Sequence, residues 1–549
     1  IEHCSEKVAR SETSFTPSDF TSVDISQSLL DSLEYLARES QNEIQDIYPA
    51  TSLQQGFIYH VLSEPDDDAY RVQQLYDYHE PLDVDKYLQA WNNCILEYPI
   101  LRTAFNWEED IIQIIYKDGN LEHSFVDISG LVTQQERDEA IELLQREDRK
   151  RGFDLSSPTL LRLCIIRQSE NYYTVLRSMH HSITDGWSGP ILLASLHGHY
   201  QNLLDNKKVS IKEDRAYLRA QEYIYSHKRE IQHYWDTSLS GVESANDINT
   251  LLSDPIDFSS YKQVDQPATN ILEISDDLYR ELKSFTQREG ITINVVVQFI
   301  WHKLLQVYSG NNQSIVGTTV SGRDLPIDGI EHSVGLYINT LPLIVDWDNN
   351  LSVVNQLHYI QQRITQMNTH SFADLAKLRI NGDRIFHNLF VFENYPAPKG
   401  SGKKALKVNM RKSIEKVDYP INIMAYEYGE SLIIKLDYDG KYLSETKAQG
   451  HLSTLKHILG QVISNPEKCH SEISLLQPDE YNQIVYNWNA TDRAYPSDMT
   501  IYELFQAQAE KTPDNIALVY DGDELSYGEL NARSNQLARH IRLEYEKRT

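Results

Sequence analysis

The sequence predicts a multidomain α/β protein, and three observations lead to this fold class. The 549 residues are enough for two to four domains with substantial cores. Two runs rich in β-branched and aromatic residues, 172–177 and 315–320, are typical of buried strands. Residues 294–307 predict a helix that is apolar around most of its surface and is therefore buried.

Charge and composition exclude several kinds of partner. Lys and Arg number 51 against 80 Asp and Glu, and the net charge of −29 argues against nucleic acid or an anionic membrane as the main partner. No apolar run reaches the length of a membrane span, and the N-terminus is no signal peptide. The four cysteines lack metal-ligand spacing, which predicts no metal site and a cytoplasmic location. Because the chain does not begin with Met, we expect it to be cut from something larger.

The globular part is expected to open with a capped helix. Residues 1 to about 40 are polar and are typical of a linker with one turn. Thr51 or Ser52 then suits a helix N-cap. Leu53, Phe57 and Val61 would share one face of this helix.

The most informative stretch follows the first predicted strand and reads His180-His181-Ser182-Ile183-Thr184-Asp185-Gly186-Trp187-Ser188. Successive side chains of a strand point to opposite faces, so His180 and His181 cannot both face one site. Gly186 can turn the chain, because glycine tolerates a positive φ, and it leaves no Cβ in the way of a ligand. A strand ending in a polar turn with two satisfied histidines is the simpler alternative. The spacing of His, His, Asp and Gly favours a functional site.

These residues resemble the core motif of the condensation domains of nonribosomal peptide synthetases, whose superfamily shares the fold of chloramphenicol acetyltransferase. The resemblance implies two acyltransferase-like subdomains that form a V-shaped pseudodimer around a central tunnel. It also implies an enzyme that joins an upstream aminoacyl or peptidyl thioester to the amine of a downstream aminoacyl thioester. Both substrates would arrive on the 4′-phosphopantetheine arms of carrier proteins, and no cofactor bound by the chain itself is expected.

Other motifs of the family are matched to different degrees. Residues 46–60 resemble the first motif, and Gln54-Gln55-Gly56 is the form typical of domains that accept a D-configured donor. Residues 332–342 and 385–396 are similar to the fifth and seventh motifs. The sixth motif is poorly matched at 368–372, which leaves the role of that region open.

The resemblance also divides the chain into segments. They are a linker or tail from an upstream domain (1–43), a condensation N-lobe (44–225), a condensation C-lobe (226–475), a linker (476–499) and the truncated start of an adenylation domain (500–549). The last segment is expected to hold a strand at 516–520 and a helix ending near 542. It has no phosphate-binding loop, and the chain has no Gly-Gly-x-Ser carrier motif. The expected partners are therefore upstream donor and downstream acceptor carrier proteins and an adjacent adenylation domain.

The motif implies a distinct role for each of its polar residues. We expect His181 to hydrogen-bond the acceptor amine and to take its proton, with His180 as a structural partner behind it. An α-amine has a pKa of about 8 and is partly nucleophilic already, so positioning can contribute more than base catalysis. Asp185 is expected to pair with a buried arginine that holds the loop. Arg323 and Arg102 are both candidates; the resemblance favours Arg323, and a structural ion pair is the simpler role for Arg102.

Further residues are expected around the substrate arms. Gly186, with Trp187 and Ser188, is expected at a pantetheine arm, although a core position is the simpler role for Trp187. Asn394 could face the site from the second half, or it could only form the turn before Tyr395-Pro396.

Three other functions are compatible with parts of the sequence. An epimerase of the same superfamily is one, but such domains usually continue the motif as Asp-Gly-Val-Ser-Trp, whereas this chain has Asp185-Gly186-Trp187-Ser188. An acyl-CoA transferase shares only His-x-x-x-Asp and lacks the fifth and seventh motifs. A non-catalytic scaffold that docks carriers is the alternative from another class, and an intact motif argues against it.

Overall fold

The computed structural model describes residues 15–65, 67–374, 378–380, 383–393, 406–414, 416 and 418–548. The chain forms two compact units, one ending at Leu475 and the other beginning at Leu476. Each unit is described by itself below.

The first half of the first unit alternates helices and strands. Its helices are α1 (Gln27–Glu39), α2 (Ser52–Ser63), α3 (Val84–Glu97), α4 (Gln134–Lys150), α5 (Ser188–Leu204) and α6 (Ala216–Leu239). Its strands are β1 (Ile44–Pro49), β2 (Arg71–Tyr78), β3 (Thr103–Asn106), β4 (Ile112–Tyr116), β5 (Glu122–Asp127), β6 (Leu161–Ser169) and β7 (Tyr172–His180).

The second half of this unit repeats the α/β pattern. Its helices are α7 (Asp276–Glu289), α8 (Ile293–Ser309), α9 (Val353–Thr369) and α10 (Glu445–Ser464). Its strands are β8 (Pro267–Ile274), β9 (Gln313–Val320), β10 (Asn339–Asp346), β11 (Arg379–Ile380), β12 (Asp383–Arg384), β13 (Asn388–Glu393), β14 (Val408–Ile414), β15 (Ile421–Tyr428) and β16 (Ser431–Asp439).

Two mixed sheets organise the first unit among the described residues. The first has the order β14-β2-β7-β6-β5 and is antiparallel except for the pair β5 and β6. The second has the order β10-β9-β13-β15-β16-β8, in which β13 runs parallel to both of its neighbours. A smaller sheet has the order β1-β4-β3. Each large sheet lies in its own hydrophobic core, and helices cover it.

The local patterns that predicted buried elements are confirmed. The run 172–177 lies in β7, and the run 315–320 lies in β9. The predicted buried helix is α8, in which every residue from Val295 to Leu305 is buried. The chain leaves β9 through Gly322, whose φ of +62° is the left-handed conformation that favours glycine.

The expected cap of α2 is confirmed, but its buried face is different. Thr51 accepts from the main-chain N–H of Gln54 at 3.3 Å, and the Gln54 side chain accepts from the N–H of Thr51 at 2.8 Å. The buried residues are Gln54, Phe57 and Ile58, whereas Leu53 and Val61 are only partly buried. The hydrophobic pattern predicted that Leu53 is buried, whereas the structure buries the polar side chain of Gln54.

The expected linker before residue 43 is wrong over most of its described length. Residues 27–39 form α1, whose N-terminus is capped by Ser26. This helix buries Leu29, Leu30 and Leu33 against the small sheet of β1, β3 and β4. Alternating polar residues on the outer face of α1 make the segment polar on average, which hid this apolar stripe.

The expected lobe boundary at residues 225 and 226 is corrected as well. It falls inside α6, a continuous helix from Ala216 to Leu239. Tyr217 of this helix belongs to the first core and Trp235 to the second. The second half also contributes to the first, because its strand β14 pairs with β2 of the first half.

The second unit is small. It contains α11 (Pro478–Asn482), α12 (Ile501–Lys511), α13 (Tyr527–Glu546) and the antiparallel hairpin β17 (Ile516–Tyr520) and β18 (Asp523–Ser526). The strand predicted at 516–520 is confirmed, and the helix that follows ends four residues later than predicted, at Glu546. None of the helices in the described ranges combines the length and apolar character that crossing a membrane requires.

Candidate active site

The site is built where β7 gives way to a loop at His181. The main-chain N–H of His181 donates to the carbonyl of Tyr70, just before β2, at 2.9 Å. The ring Nδ1 lies 2.7 Å from the carbonyl oxygen of Thr184. A carbonyl can only accept, so Nδ1 carries the proton and Nε2 is the basic nitrogen of the neutral ring. Phe57 of α2 packs against this ring with the centroids 5.4 Å apart.

His180 lies on the opposite side of the strand. Its Nδ1 is 2.8 Å from the hydroxyl of Ser182 and also accepts from the N–H of Ser182 at 3.3 Å. Burial lowers the pKa of His180 to about 3, and the charges of nearby bases act in the same direction. This imidazole is therefore neutral near pH 7. Of the two histidines, His181 lines the cavity described below and His180 does not.

Asp185 is a fully enclosed carboxylate four residues after His181. Arg323 donates through Nη2 to both of its oxygens, at 3.1 and 3.4 Å. The main-chain N–H groups of Ser188 and Tyr337 donate to it at 2.8 and 3.0 Å. The charge of Asp185 is thus balanced by one guanidinium and further hydrogen bonds, as a buried carboxylate requires.

Arg323 connects this loop to the second half of the unit. Its Nη1 donates to the carbonyls of Ile330 and Ser333 at 2.6 and 2.9 Å, and its guanidinium lies 4.2 Å from the ring centroid of Tyr337. Sequence reasoning did not find the contributions of Ser333 and Tyr337. Ser333 contributes a main-chain carbonyl, and Tyr337 contributes a main-chain N–H and a ring face. The only signal for this region in the sequence was the resemblance of 332–342 to the fifth motif.

Ser188 belongs to the same buried cluster. Its hydroxyl lies 2.7 Å from Oδ1 of Asp185 and 3.0 Å from Nη2 of Arg323, and it accepts from the N–H of Gly335 at 3.0 Å. The side chain does not line the cavity. The hydroxyl of Ser188 is thus bonded inside the ion-pair cluster, and the expected contact of this residue with a pantetheine arm stays a prediction.

The other positions expected near a substrate arm have different surroundings. Trp187 is half-buried, does not line the cavity, and donates through its indole N–H to the carbonyl of Glu331 at 3.2 Å. Gly186 is exposed and lines the cavity. Gly186 does not have a positive φ, so its backbone conformation does not require glycine. What sets it apart from other residues at this position is the missing Cβ. Asn394 lies outside the described residues.

Arg102 is buried away from the cavity. Its Nη2 pairs with Glu213 at 2.8 Å and donates to Gln45 at 2.9 Å, while Nε donates to the carbonyl of Tyr116 at 2.7 Å. These contacts join β1, β4 and the segment before α6. Of the two arginines considered as partners of Asp185, Arg323 contacts it and Arg102 does not.

Gln54 supports the loop from the opposite side. Its side chain is fully buried, and Nε2 donates to the carbonyl of Ser182 at 3.0 Å and to the hydroxyl of Tyr217 at 3.3 Å. The loop next to His181 is therefore held by α2 and α6 as well as by Arg323. The first-motif resemblance marked Gln54 without indicating this contact.

A cavity of about 2150 Å³ opens in front of His181. Both halves of the first unit line it, with α2, β2, β7 and α5 on one side and β8, β13, β15 and β16 on the other. Ion pairs stabilise its wall. Lys416 pairs with Asp67 at 2.5 Å, and His60 lies 2.8 Å from the same carboxylate. Although burial raises the pKa of Asp67, hydrogen bonds from His60 and Lys416 outweigh it and hold the pKa well below its usual range.

No group of three His, Cys, Asp or Glu side chains in the described ranges is arranged to hold a metal ion. Cys94, Cys164 and Cys469 are free thiols. At the cavity, the described residues offer a positioned imidazole, main-chain groups and ion pairs.

Comparison with known proteins identifies the family of the chain. Residues 44–485 match the condensation-domain family. The chain belongs to this family. The resemblance inferred from the histidine motif is therefore confirmed. Condensation domains of nonribosomal peptide synthetases catalyse peptide-bond formation.

The curated relatives are much longer proteins. Over 515 residues the condensation domain is 35% identical to N-(5-amino-5-carboxypentanoyl)-L-cysteinyl-D-valine synthase of Amycolatopsis lactamdurans, covering 91% of this chain and 14% of that protein. Over 557 residues it is 31% identical to bacitracin synthase 3 of Bacillus licheniformis, covering 99% of this chain and 8% of that protein. The chain thus corresponds to a small part of each relative.

Solved structures agree with the fold class. A four-domain nonribosomal peptide synthetase bound to AMP and glycine superimposes with a TM-score of 0.65 at 18% identity, over 92% of this chain and 39% of that one. The X-domain in its complex with OxyB from teicoplanin biosynthesis gives 0.64 at 16% identity, over 78% of this chain and 96% of that one. The predicted α/β condensation fold is confirmed.

Proposed function

We propose that this condensation domain joins two carrier-bound substrates in the cavity at His181. The donor is an aminoacyl or peptidyl thioester on the carrier upstream, and the acceptor is the amine of an aminoacyl thioester on the carrier downstream. The observation that carries the proposal is the orientation of His181, which lines the cavity and has its proton fixed on Nδ1 by the carbonyl of Thr184.

His181 acts on the acceptor amine. Its Nε2 accepts a hydrogen bond from the amine and takes its proton as the amine attacks the thioester carbonyl. The imidazolium then gives this proton to the departing sulfur as the tetrahedral intermediate collapses to amide and thiol, which regenerates the neutral imidazole. Since an α-amine of pKa about 8 is partly unprotonated at pH 7, holding the amine in line is the larger contribution. The imidazolium formed also stabilises the negative charge of the intermediate.

Asp185 and Arg323 position the loop and do not touch the substrates. Their ion pair fixes the residues directly after His181, and Gln54 fixes the carbonyl of Ser182 beside it. Gly186 lets a pantetheine arm pass close to the main chain, because no Cβ projects there. Asn394 remains a candidate contact from the second half.

The donor is D-configured in this proposal. Its support is the Gln54-Gln55-Gly56 form of the first motif, and Gln55 and Gly56 both lie on the cavity wall. No Cβ contact would be made at Gly56, where nothing lies within 4 Å of the ideal position. This part of α2 therefore offers open space to a substituent on the donor.

The test supplies donor and acceptor carriers that are loaded separately and follows the amide product by intact-mass spectrometry. Wild type is compared with His181→Ala, and each is given the donor in both configurations. We expect product from wild type with the D-donor, and a loss of about 10²–10⁴-fold in rate in His181→Ala. His123→Ala, which removes an exposed histidine of β5, is the matched control and should keep the wild-type rate. Thermal unfolding confirms that both variants are folded.

Each other outcome contradicts a defined part of the proposal. Product with the L-donor only would overturn the stereochemical part. Scrambling of the donor α-carbon without product would identify an epimerase of the same superfamily. Carrier binding with neither reaction would identify a scaffold.

A further inference from the structure

Arg177 of β7 is a buried cation that the proposed reaction does not use. It is 3% exposed, and it lines the cavity four residues before His181. Its Nη2 donates to the side-chain oxygen of Gln74 and to the hydroxyl of Tyr76, the latter at 3.1 Å. Its Nε and Nη1 are enclosed and find no acceptor among the described residues.

The other described lysines and arginines that line the cavity each have a carboxylate within 4 Å. Their ion pairs are Arg149 with Asp68, Lys262 with Glu64, Arg384 with Asp418, Lys416 with Asp67, and Lys435 with Asp437. Arg177 has no carboxylate partner in the described part of the chain. A buried guanidinium without an anion is costly to the fold, so a bound anion would stabilise it.

The surroundings of Arg177 are those of a cation. Its guanidinium lies 5.2 Å from the ring centroid of Tyr76 and 6.0 Å from that of Trp91. Burial lowers the pKa of the neighbouring His197 to about 4, and the charge of Arg177 acts in the same direction. The aromatic faces stabilise a positive charge without neutralising it.

The position of Arg177 relative to His181 suits a ligand that is part of the substrate. Residues 177, 179 and 181 follow one face of the strand, and Met179 lines the cavity between the other two. Four residues of extended chain span roughly 13 Å. Met179 lies between them, so an acyl chain that starts at the reacting carbonyl beside His181 would run past this side chain towards the guanidinium, which stands at the end of the long Arg177 side chain.

We infer that Arg177 binds an anionic group of a substrate, and that the substrate class is an acyl or aminoacyl thioester with a carboxylate on its side chain. The carboxylate takes the place of the Gln74 amide oxygen, a neutral acceptor on the cavity wall, and pairs with the guanidinium in a bidentate manner. This inference rests on the proposed condensation at His181 for the identity of the substrate. The subsite itself is independent of that reaction.

The catalytic test compares substrates that differ only in charge. Carriers loaded with glutamyl and glutaminyl groups are offered in turn, as donor and as acceptor, to wild type and to Arg177→Gln. We expect wild type to prefer the glutamyl substrate on one of the two sides. Arg177→Gln should lose roughly 10- to 100-fold in kcat/KM for it, the range for a hydrogen bond to a charged group, and keep its rate with the glutaminyl substrate. Lys262→Gln, which removes a cavity cation already paired with Glu64, should keep the preference.

The phosphate of the pantetheine arm is another anion that could supply the same chemistry. N-acetylcysteamine thioesters of the same amino acids carry no phosphate and separate the two sources. If Arg177→Gln loses rate equally with both side chains on pantetheine, and loses nothing with N-acetylcysteamine thioesters, the anion is the phosphate and the carboxylate assignment is overturned.

A binding measurement keeps this inference separate from the proposed function. Monomethyl glutarate, which has one ester and one carboxylate, is titrated calorimetrically into His181→Ala, with dimethyl glutarate as the neutral control. We expect the monoester alone to bind, and binding to be lost in the double variant His181→Ala, Arg177→Gln. If binding is present but wild type forms no amide, the proposed function fails and the anion subsite stands. If the monoester binds no better than the diester, and glutamyl and glutaminyl carriers react alike in both proteins, Arg177 is only an internal cation of the core.

Discussion

Two buried arginines border the active-site region, and they are satisfied in different ways. Arg323, 7% exposed, has a carboxylate, two carbonyls, a hydroxyl and an aromatic face as partners. Arg177, 3% exposed, has one amide oxygen, one hydroxyl and two aromatic faces, but no carboxylate among the described residues. Burial by itself therefore does not indicate the role of an arginine. What indicates it is whether the protein supplies the counter-charge.

Removing Arg323 should have the largest effect on stability. Arg323→Ala leaves the Asp185 carboxylate enclosed without a counter-charge, and we expect the free energy of unfolding to fall by about 3–5 kcal/mol. Denaturant unfolding measures this loss. The double variant Asp185→Leu, Arg323→Met removes both charges and should regain part of it. A loss below about 1 kcal/mol in Arg323→Ala would show that the pair does not hold the loop.

Acid should destabilise the fold through His180, a third buried base, which is kept neutral. Its pKa of about 3 in the folded chain is below the value of about 6.5 in an unfolded one, so the unfolded state binds more protons between these pH values. The free energy of unfolding therefore falls as the pH drops from 6.5 towards 3, by about 1.4 kcal/mol per pH unit for this residue. His180→Asn, which keeps an acceptor for the N–H of Ser182, should reduce that slope in urea titrations. An unchanged slope would show that His180 accepts a proton in the folded state.

Removing Arg177 should not lower the free energy of unfolding, in contrast to removing Arg323. Arg177→Met deletes a cation that has no counter-charge in the part of the chain that the structure describes, and it fills much of the same volume. We therefore expect stability to be unchanged or to rise by up to about 2 kcal/mol. Chemical unfolding of the substrate-free protein tests this. A loss of 3 kcal/mol or more would mean that Arg177, like Arg323, belongs to the architecture, and the contrast between them would disappear.

An exposed ion pair should have the smallest effect. Lys117 pairs with Glu43 at the end of the small sheet, and both side chains are more than half exposed. Lys117→Ala should change the free energy of unfolding by less than about 0.5 kcal/mol, because water screens and replaces the pair. A larger change would show that exposed ion pairs contribute to stability as buried ones do. Burial would then not distinguish the Lys117–Glu43 pair from the Asp185–Arg323 pair.

The parts of the fold that could be predicted from the sequence depend on local patterns. The strand β7, the buried helix α8 and the cap of α2 each follow from residues adjacent in the chain. The helix α1 was missed because its apolar stripe is surrounded by polar residues, and the boundary inside α6 was misplaced because one helix serves two cores. The motif resemblance identified the family.

The candidate site divides in the same way. Strand alternation is enough to separate His181 from His180, and the motif spacing marks Asp185. The partners of Asp185 are distant in sequence, and two of its donors are main-chain N–H groups, which no side-chain pattern reveals. Arg177 was not singled out, because the sequence cannot show that no described carboxylate lies within reach of this arginine.

The pairing of β14 with β2 limits how this domain can be recombined. An isolated first half would lose β14 and expose β2 as an unprotected edge, a surface prone to aggregation. The exchange of half-domains between synthetases would therefore need a graft that carries 406–414 together with the first half. A junction inside α6 would cut a helix that packs into both cores. We therefore expect that the two halves are best transferred together in protein engineering.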